Sequence, residues 1–195
     1  MGSGDILEAL HDAEIDLFRA MNLAGDSELL DLIMLSFTLL GVSYVIVLIC
    51  IPFWLRGKKE ASFDVVVLVI LATVLAELIK LIVDRQRPSL ELSDVNTILS
   101  ATGPSFPSGH ATRAFAVALF VCVTESRRIG AVAVVVASLI SISRVFLGVH
   151  WPSDVLAGAI LGTLIAFTLI QCVKRCNAYV EVRRRVISLM GGRPI

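Results

Sequence analysis

Five long apolar runs, at about 29–55, 63–83, 108–124, 129–149 and 153–173, occupy most of this chain, each bounded by charges or by Gly and Pro. Runs of this size approach the roughly 20 residues a helix needs to cross a hydrocarbon core, where the backbone must satisfy its own hydrogen bonds. Among 195 residues 56% are hydrophobic, and a mean hydropathy of +0.86 exceeds what one soluble core needs. The expected fold is all-α, a polytopic membrane bundle of five transmembrane helices. Seventeen Lys and Arg balance seventeen Asp and Glu. Bulk charge therefore gives no support to a nucleic-acid partner, and electrostatic arguments must be local.

The first 24 residues do not read as a sixth span, because Asp5, Glu8, Asp12, Glu14 and Asp16 recur within what would be its hydrocarbon stretch. Ile6, Leu7, Leu10, Leu17, Phe18 and Met21 fall near one face at helical spacing, which predicts an interfacial amphipathic helix ending at Gly25. Three parts follow: the interfacial helix at 1–25, a membrane domain at 26–175 and a basic cytoplasmic tail at 176–195. No short apolar block with a cleavage site suggests a signal peptide, and Ile6 stands where a myristoylation signal on Gly2 would want Ser or Thr.

Charge orients the bundle. Arg56, Lys58 and Lys59 lie between runs one and two, Arg127 and Arg128 between three and four, and Lys174, Arg175, Arg183, Arg184, Arg185 and Arg193 after five. The positive-inside rule places those loops in the cytoplasm and the N-terminus outside. Cys50, Cys122, Cys172 and Cys176 then fall near reducing cytoplasmic helix ends, where small packing residues are a better reading than disulfides or a metal site.

Polar residues gather at the opposite ends of the helices. Run two ends Lys80-Leu-Ile-Val-Asp84-Arg85-Gln86-Arg87-Pro88, run three begins Pro107-Ser108-Gly109-His110, and runs four and five join through Ser143-Arg144 and His150-Trp-Pro-Ser-Asp154. Ionisable groups inside membrane helices are costly, so such a cluster is a functional site by default. Lys80 and Arg87, two turns apart on one face if the helix continues to Pro88, can hold one multivalent anion. Ser108 sits where an N-cap belongs, and Gly109 lets the backbone approach an anion closely. Arg144 adds a guanidinium suited to phosphate oxygens. Asp154, four residues after His150, can hold one ring nitrogen and leave the other as a nucleophile, while His110 can protonate a leaving oxygen.

These segments resemble the type 2 phosphatidic acid phosphatase family, which shares its site with vanadium haloperoxidases and glucose-6-phosphatase. Its pattern is Lys-x6-Arg-Pro, Pro-Ser-Gly-His and Ser-Arg-x5-His-x3-Asp, and every specified position is filled here in order. The resemblance covers roughly residues 26–175. It implies a metal-independent, cofactor-free phosphatase working through a phosphohistidine, with His150 as nucleophile, Asp154 orienting it and His110 as acid and then base. Lys80, Arg87, Ser108, Gly109 and Arg144 would bind the phosphoryl group. Bacterial lipid phosphatases of the family commonly have six spans; here the first is replaced by the acidic helix.

A finer similarity, Ser105-Phe106-Pro107-Ser108-Gly109-His110-Ala111-Thr112-Arg113, leans toward the presqualene and polyisoprenyl diphosphate phosphatase branch. Arg113, one turn after His110, could reach a second phosphate; an Arg snorkelling or paired with a carboxylate competes with that reading. Glu77, three residues before Lys80, reads as an internal partner for Lys80 or Arg113. Asp84 and Arg85 read as an interfacial ion pair, and His11 as a solvated residue without a partner. Residues 89–105 read as a lid touching lipid chains or as an ordinary connector. Gly158 and Gly162 fit close packing within the bundle as well as a homodimer.

The expected partners are membrane lipids and a lipid phosphate substrate. A soluble phosphate ester is the enzymatic alternative and a nonenzymatic binding protein the alternative of another class. The intact His110, His150 and Asp154 argue for catalysis.

Overall fold

The computed structural model describes residues 3–25 and 27–191. Residues 1, 2, 26 and 192–195, which include Gly2 and the Arg193 of the charge count, lie outside the described residues. The elements are α1 (Ser3–Asn22), α2 (Glu28–Leu40), α3 (Ser43–Leu55), α4 (Lys59–Val83), α5 (Pro88–Glu91), α6 (Gly109–Thr124), α7 (Arg127–Phe146), α8 (Pro152–Arg175) and α9 (Asn177–Leu189). Among the described residues every regular element is helical.

Among the described residues three helical stretches are long and apolar enough to cross a bilayer: Lys59–Glu91, α7 and α8. The run at 29–55 is not one straight helix. It bends by 66° between α2 and α3, and only as a pair do the two make a fourth candidate span. The elbow sits at Gly41, where a Cβ would lie 2.7 Å from Ile140 and 2.8 Å from the His110 ring. A glycine is needed there because the backbone turns against the side of a site histidine. Helix α6 is apolar but has 16 residues, about 24 Å of rise against roughly 30 Å of hydrocarbon.

The outer surface is inverted relative to a soluble protein, with Leu81 and Ile82 exposed by 78% and 82%. Inside, Leu68, Val69 and Ala72 of α4 meet Ala116 and Phe120 of α6 and Ile165, Ala166 and Leu169 of α8. Helix α6 touches α8 almost backbone to backbone: a Cβ on Gly158 would lie 2.6 Å from the Ser108 carbonyl oxygen, and one on Gly162 2.1 Å from that of Thr112. Packing within the bundle thus accounts for both glycines.

Helix α4 stops at Val83, where Asp84 adopts a left-handed conformation (φ 43) and its N–H caps the Lys80 carbonyl. Lys80 and Arg87 therefore do not share one helix face, which corrects the two-turn expectation. A short polar side chain tolerates this backbone, and Pro88 starts α5 rather than ending α4.

The amphipathic N-terminal segment is helical, but its apolar residues divide. Phe18 is buried against Val145 and Trp151, with Ile15 and Met21 beside it, whereas Ile6, Leu7, Leu10 and Leu17 are exposed. The segment at 89–105 is fastened on both sides. Leu92 and Val95 join the Phe18–Trp151 cluster, and Ile98, Leu99 and Ala101 join Phe146, Leu147 and Val149. Asn22 locks it further, donating to the carbonyls of Asn96 (2.8 Å) and Phe146 (2.7 Å) and accepting from the Asn96 N–H (2.7 Å). At the far end of α4, Arg183 of α9 bridges Asp64 (2.8 Å) and Glu60 (2.9 Å), and the Tyr179 hydroxyl donates to Asp64 at 2.5 Å.

Candidate active site

The start of α8 organises the site. Pro152 supplies the first-turn geometry, and Asp154, two residues on, turns its carboxylate back to accept the Trp151 N–H at 2.9 Å. The same oxygen, Oδ2, lies 3.4 Å from His150 Nδ1. His150 is 3% exposed and Asp154 0%. Nδ1 is thus directed at the carboxylate and Nε2 is left for chemistry.

His150 lies in the turn between α7 and α8. Burial, with Arg144 and Arg87 nearby, pulls its pKa to about 4 against the opposing pull of Asp154. The ring is neutral at physiological pH, the state in which an imidazole can act as a nucleophile. His110, in the first turn of α6, lies where Arg144, Arg113, His150 and Lys80 all act on its charge. The three sequence blocks therefore converge. A backbone bond from Ser108 N to the Asp154 carbonyl oxygen, 2.9 Å, fastens the second block to the third.

The anion-binding candidates differ in availability. Ser108 occupies the N-cap position of α6 but makes no capping bond, and its Oγ is buried without a partner. Arg144 donates through one terminal nitrogen to Thr38 Oγ1 at 2.5 Å, and its Nε is also buried without a partner. Buried unpaired polar atoms are uncommon and costly; among the described residues Arg19 Nε, Asp31 Oδ1, Ser141 Oγ and Arg183 Nε share that state, and Ser108 and Arg144 differ from them in their place beside the two histidines. Arg87 is more committed: it donates to the carbonyls of Gly103 (2.9 Å), Val149 (2.7 Å), Thr102 (3.2 Å) and Pro104 (3.2 Å). Four of its five N–H groups are used, and the Val149 bond fixes the residue before His150. Lys80 is paired with Glu77 at 2.7 Å, the internal partner expected for that carboxylate.

Arg113 donates to the Gly41 carbonyl at 3.1 Å and lies 3.4 Å from His110 Nδ1. That contact sets its guanidinium beside the ring of the second histidine. Gly109 packs close to the same guanidinium, where a Cβ would meet it at 3.2 Å.

Several contributors escaped the sequence reading. Arg85 pairs with Asp154 at 2.9 Å and Glu14 at 2.6 Å, not with Asp84, and lies 5.1 Å over the Trp151 ring. His11 is not without a partner: its Nε2 is 3.2 Å from Glu91, and its ring 6.1 Å from that of Trp151. Thr38 holds Arg144 from inside the first apolar run. Glu14 carried a legible signal, since it falls between Leu10, Leu17 and Met21 on the apolar face of α1, where a carboxylate needs a partner.

A cleft of about 240 Å³, lined by none of these site residues, opens along α6, α7 and α8. Met21, Phe115, Ile142, Val145, Val155 and Leu156 line it, and it reaches Pro152, two residues from His150.

The sequence profile described as PAP2 superfamily matches residues 61–178. The chain belongs to the PAP2 superfamily. Among its PAP2 relatives is an undecaprenyl-diphosphatase of Sulfolobus acidocaldarius, 34% identical over 120 residues, a stretch covering 60% of this chain and 57% of the archaeal protein. The crystal structure of Aquifex aeolicus LpxE superposes with a TM-score of 0.74 at 33% identity, covering 80% of this PAP2 chain and 93% of LpxE. A PAP2-type phosphatidylglycerolphosphate phosphatase from Bacillus subtilis gives 0.74 at 27% identity, covering 87% and 88%.

Proposed function

We propose that this PAP2 protein hydrolyses a lipid phosphate or diphosphate, a polyprenyl diphosphate foremost, through a phosphohistidine on His150 and without a metal ion. The coarser statement, a membrane phosphatase acting on lipid phosphates, rests on its family and on relatives named as phosphatases of such lipids. The finer one rests on one observation: two histidines, one held by a buried carboxylate, share a buried centre with unpaired Ser108 Oγ and Arg144 Nε.

The chemistry follows from those positions. His150 Nε2 attacks phosphorus in line while Asp154 takes the growing positive charge on the ring. The phosphorus–oxygen bond to the leaving group breaks, and His110 gives its proton to that oxygen. His110 then accepts a proton from water, the hydroxide attacks phosphorus, and the phosphorus–nitrogen bond breaks to free phosphate and neutral His150. Ser108, Arg144 and the amides opening α6 hold the equatorial oxygens, with Lys80 able to exchange Glu77 for phosphate.

The apolar cleft beside Pro152 favours a substrate whose tail stays in the bilayer. By the positive-inside rule the site opens extracytoplasmically and the C-terminus is cytoplasmic, with five spans if the α2–α3 pair and α6 each cross. Phosphate release by wild-type protein and His150→Ala in mixed micelles with EDTA tests this reading, across a polyprenyl diphosphate, a polyprenyl monophosphate, phosphatidylglycerophosphate and glucose-6-phosphate. Turnover of the diphosphate, lost in the variant, is expected; a preference for glucose-6-phosphate would replace the lipid reading.

A further inference from the structure

We infer that Arg85 and Glu14 form a positioning pair through which helix α1 sets the basicity and orientation of His150. The inference rests on the phosphohistidine reading, because it assigns a role to the partners of the nucleophile's own carboxylate.

Both oxygens of Asp154 are occupied. Oδ2 takes the Trp151 N–H and faces His150, and Oδ1 takes the Arg85 guanidinium at 2.9 Å. The same guanidinium nitrogen also donates to Ser153 Oγ at 2.6 Å, while its other terminal nitrogen donates to Glu14 Oε2 at 2.6 Å. Glu14 Oε1 accepts the Ser153 N–H at 3.0 Å and, in a short bond, the Ser153 hydroxyl. One carboxylate from α1 therefore reaches a free amide in the first turn of α8 and half of the arginine that neutralises Asp154. The Trp151 ring lies under that guanidinium and against Phe18 of α1, which fixes the fork in place.

The charge on Glu14 is retained in this setting. Burial pushes its pKa up, but the bonds from Ser153 and Arg85 outweigh burial and hold it below the ordinary carboxylate value. Arg85 is thus shared between two anions. Its pull on Asp154 is moderated by Glu14, and the pull of Asp154 on His150 is what remains. The other charged or titratable groups acting on His150 are Arg144 of α7, Arg87 before α5 and His110 of α6.

The pair makes a prediction of opposite signs. Replacing Glu14 by Gln keeps the volume and an acceptor for Ser153, but gives Asp154 the whole of Arg85 and lowers the pKa of His150. Replacing Arg85 by Lys breaks the fork, leaves Asp154 less neutralised and raises it. A residue that only braced the fold would move neither.

The experiment measures kcat, KM and the pH profile of kcat/KM for full-length wild type, Glu14→Gln, Arg85→Lys and His150→Ala on a polyprenyl diphosphate in mixed micelles. Arg85→Lys is expected to lose about 10–100-fold in kcat, as loss of an outer-shell partner commonly does, with KM within about threefold. The acid limb should move up by about half a unit in Arg85→Lys and down in Glu14→Gln. Unmoved limbs in both variants, or shifts of the same sign, with His150→Ala inactive, would overturn the pairing and leave the phosphatase reading standing. Turnover by His150→Ala would overturn the phosphohistidine and this inference together. If Arg85→Lys does not fold, the sign of the Glu14→Gln shift decides alone.

Discussion

The Ser108 N–H donates to the carbonyl oxygen of Asp154 at 2.9 Å, so the residue that opens the His110 helix is fastened to the residue whose carboxylate faces His150 Nδ1. The bond is between backbones and survives side-chain substitution, which isolates what the Ser108 hydroxyl does. That Oγ is buried and unpartnered. Removing an unsatisfied buried polar atom is neutral or stabilising, whereas removing one preorganised donor to a phosphoryl oxygen costs on the order of 10²-fold in turnover. Ser108→Ala should therefore keep or raise the thermal midpoint in detergent while kcat falls by about two orders of magnitude. A fall in both together would make Ser108 a structural cap.

His150 gives the second prediction. Its pKa is lowered from an ordinary 6.5 to about 4, first by burial. The neutral ring, the form the proposed attack needs, therefore persists under acid conditions that would protonate a solvated histidine. The acid limb of kcat/KM assigned to the free enzyme should fall well below 6.5 and approach 4. The linkage has a definite sign: the unfolded chain binds a proton at His150 between those values and the folded chain does not. This residue's contribution therefore makes stability decline as pH falls from about 6.5 toward 4, and leaves it flat above. Phosphate release and thermal midpoints from pH 4 to 8 check both.

What the sequence showed and what it hid divide along physical lines. The apolar runs, the start of α6 at Ser108 and the start of α8 at Pro152 were legible because capping residues and hydrophobic length are local signals. The end of α4 at Val83 matches the end of its apolar run, but that the helix does not continue to Pro88 was not legible, because a left-handed residue, Asp84, stops it there. Nor was the elbow at Gly41, whose reason is the His110 ring, 69 residues away in the chain. The motif residues themselves were in hand, but their sharing of partners was not. Arg87 is spent largely on backbone carbonyls and Arg85 on two carboxylates, and only tertiary contact assigns such bonds.

Gly158 lets helix α6 approach α8, and the tighter contact is at residue 162, which also has no side chain. A Cβ there would stand 2.1 Å from the Thr112 carbonyl oxygen and 2.9 Å from the Ala116 nitrogen, both backbone atoms that cannot rotate away. Gly162→Ala should separate the helix that carries His110 from the one whose first turn holds Asp154, costing about 1–3 kcal/mol from overpacking. A lowered midpoint and lost turnover are expected together, whereas Thr163→Ala on the exposed face should spare both. Wild-type stability in Gly162→Ala would mean that the two helices are farther apart.

The ionic clasp at the other end of α4 should behave in the opposite way. Arg183 is buried between Asp64 and Glu60, and Tyr179 completes the shell of Asp64. Asp64 and Lys80 are 16 residues apart on one helix, about 24 Å, so the clasp is remote from the proposed phosphoryl site. Removing one partner of a buried pair strands the other charge and costs about 3–5 kcal/mol in known cases. Arg183→Ala should thus lower the midpoint clearly, while Asp64→Asn with Arg183→Met, which removes both charges, should recover much of it. In both variants the kcat of the folded fraction should match wild type. A kcat that falls with intact thermal stability would instead connect α9 to the chemistry, a coupling for which α4 is the physical path.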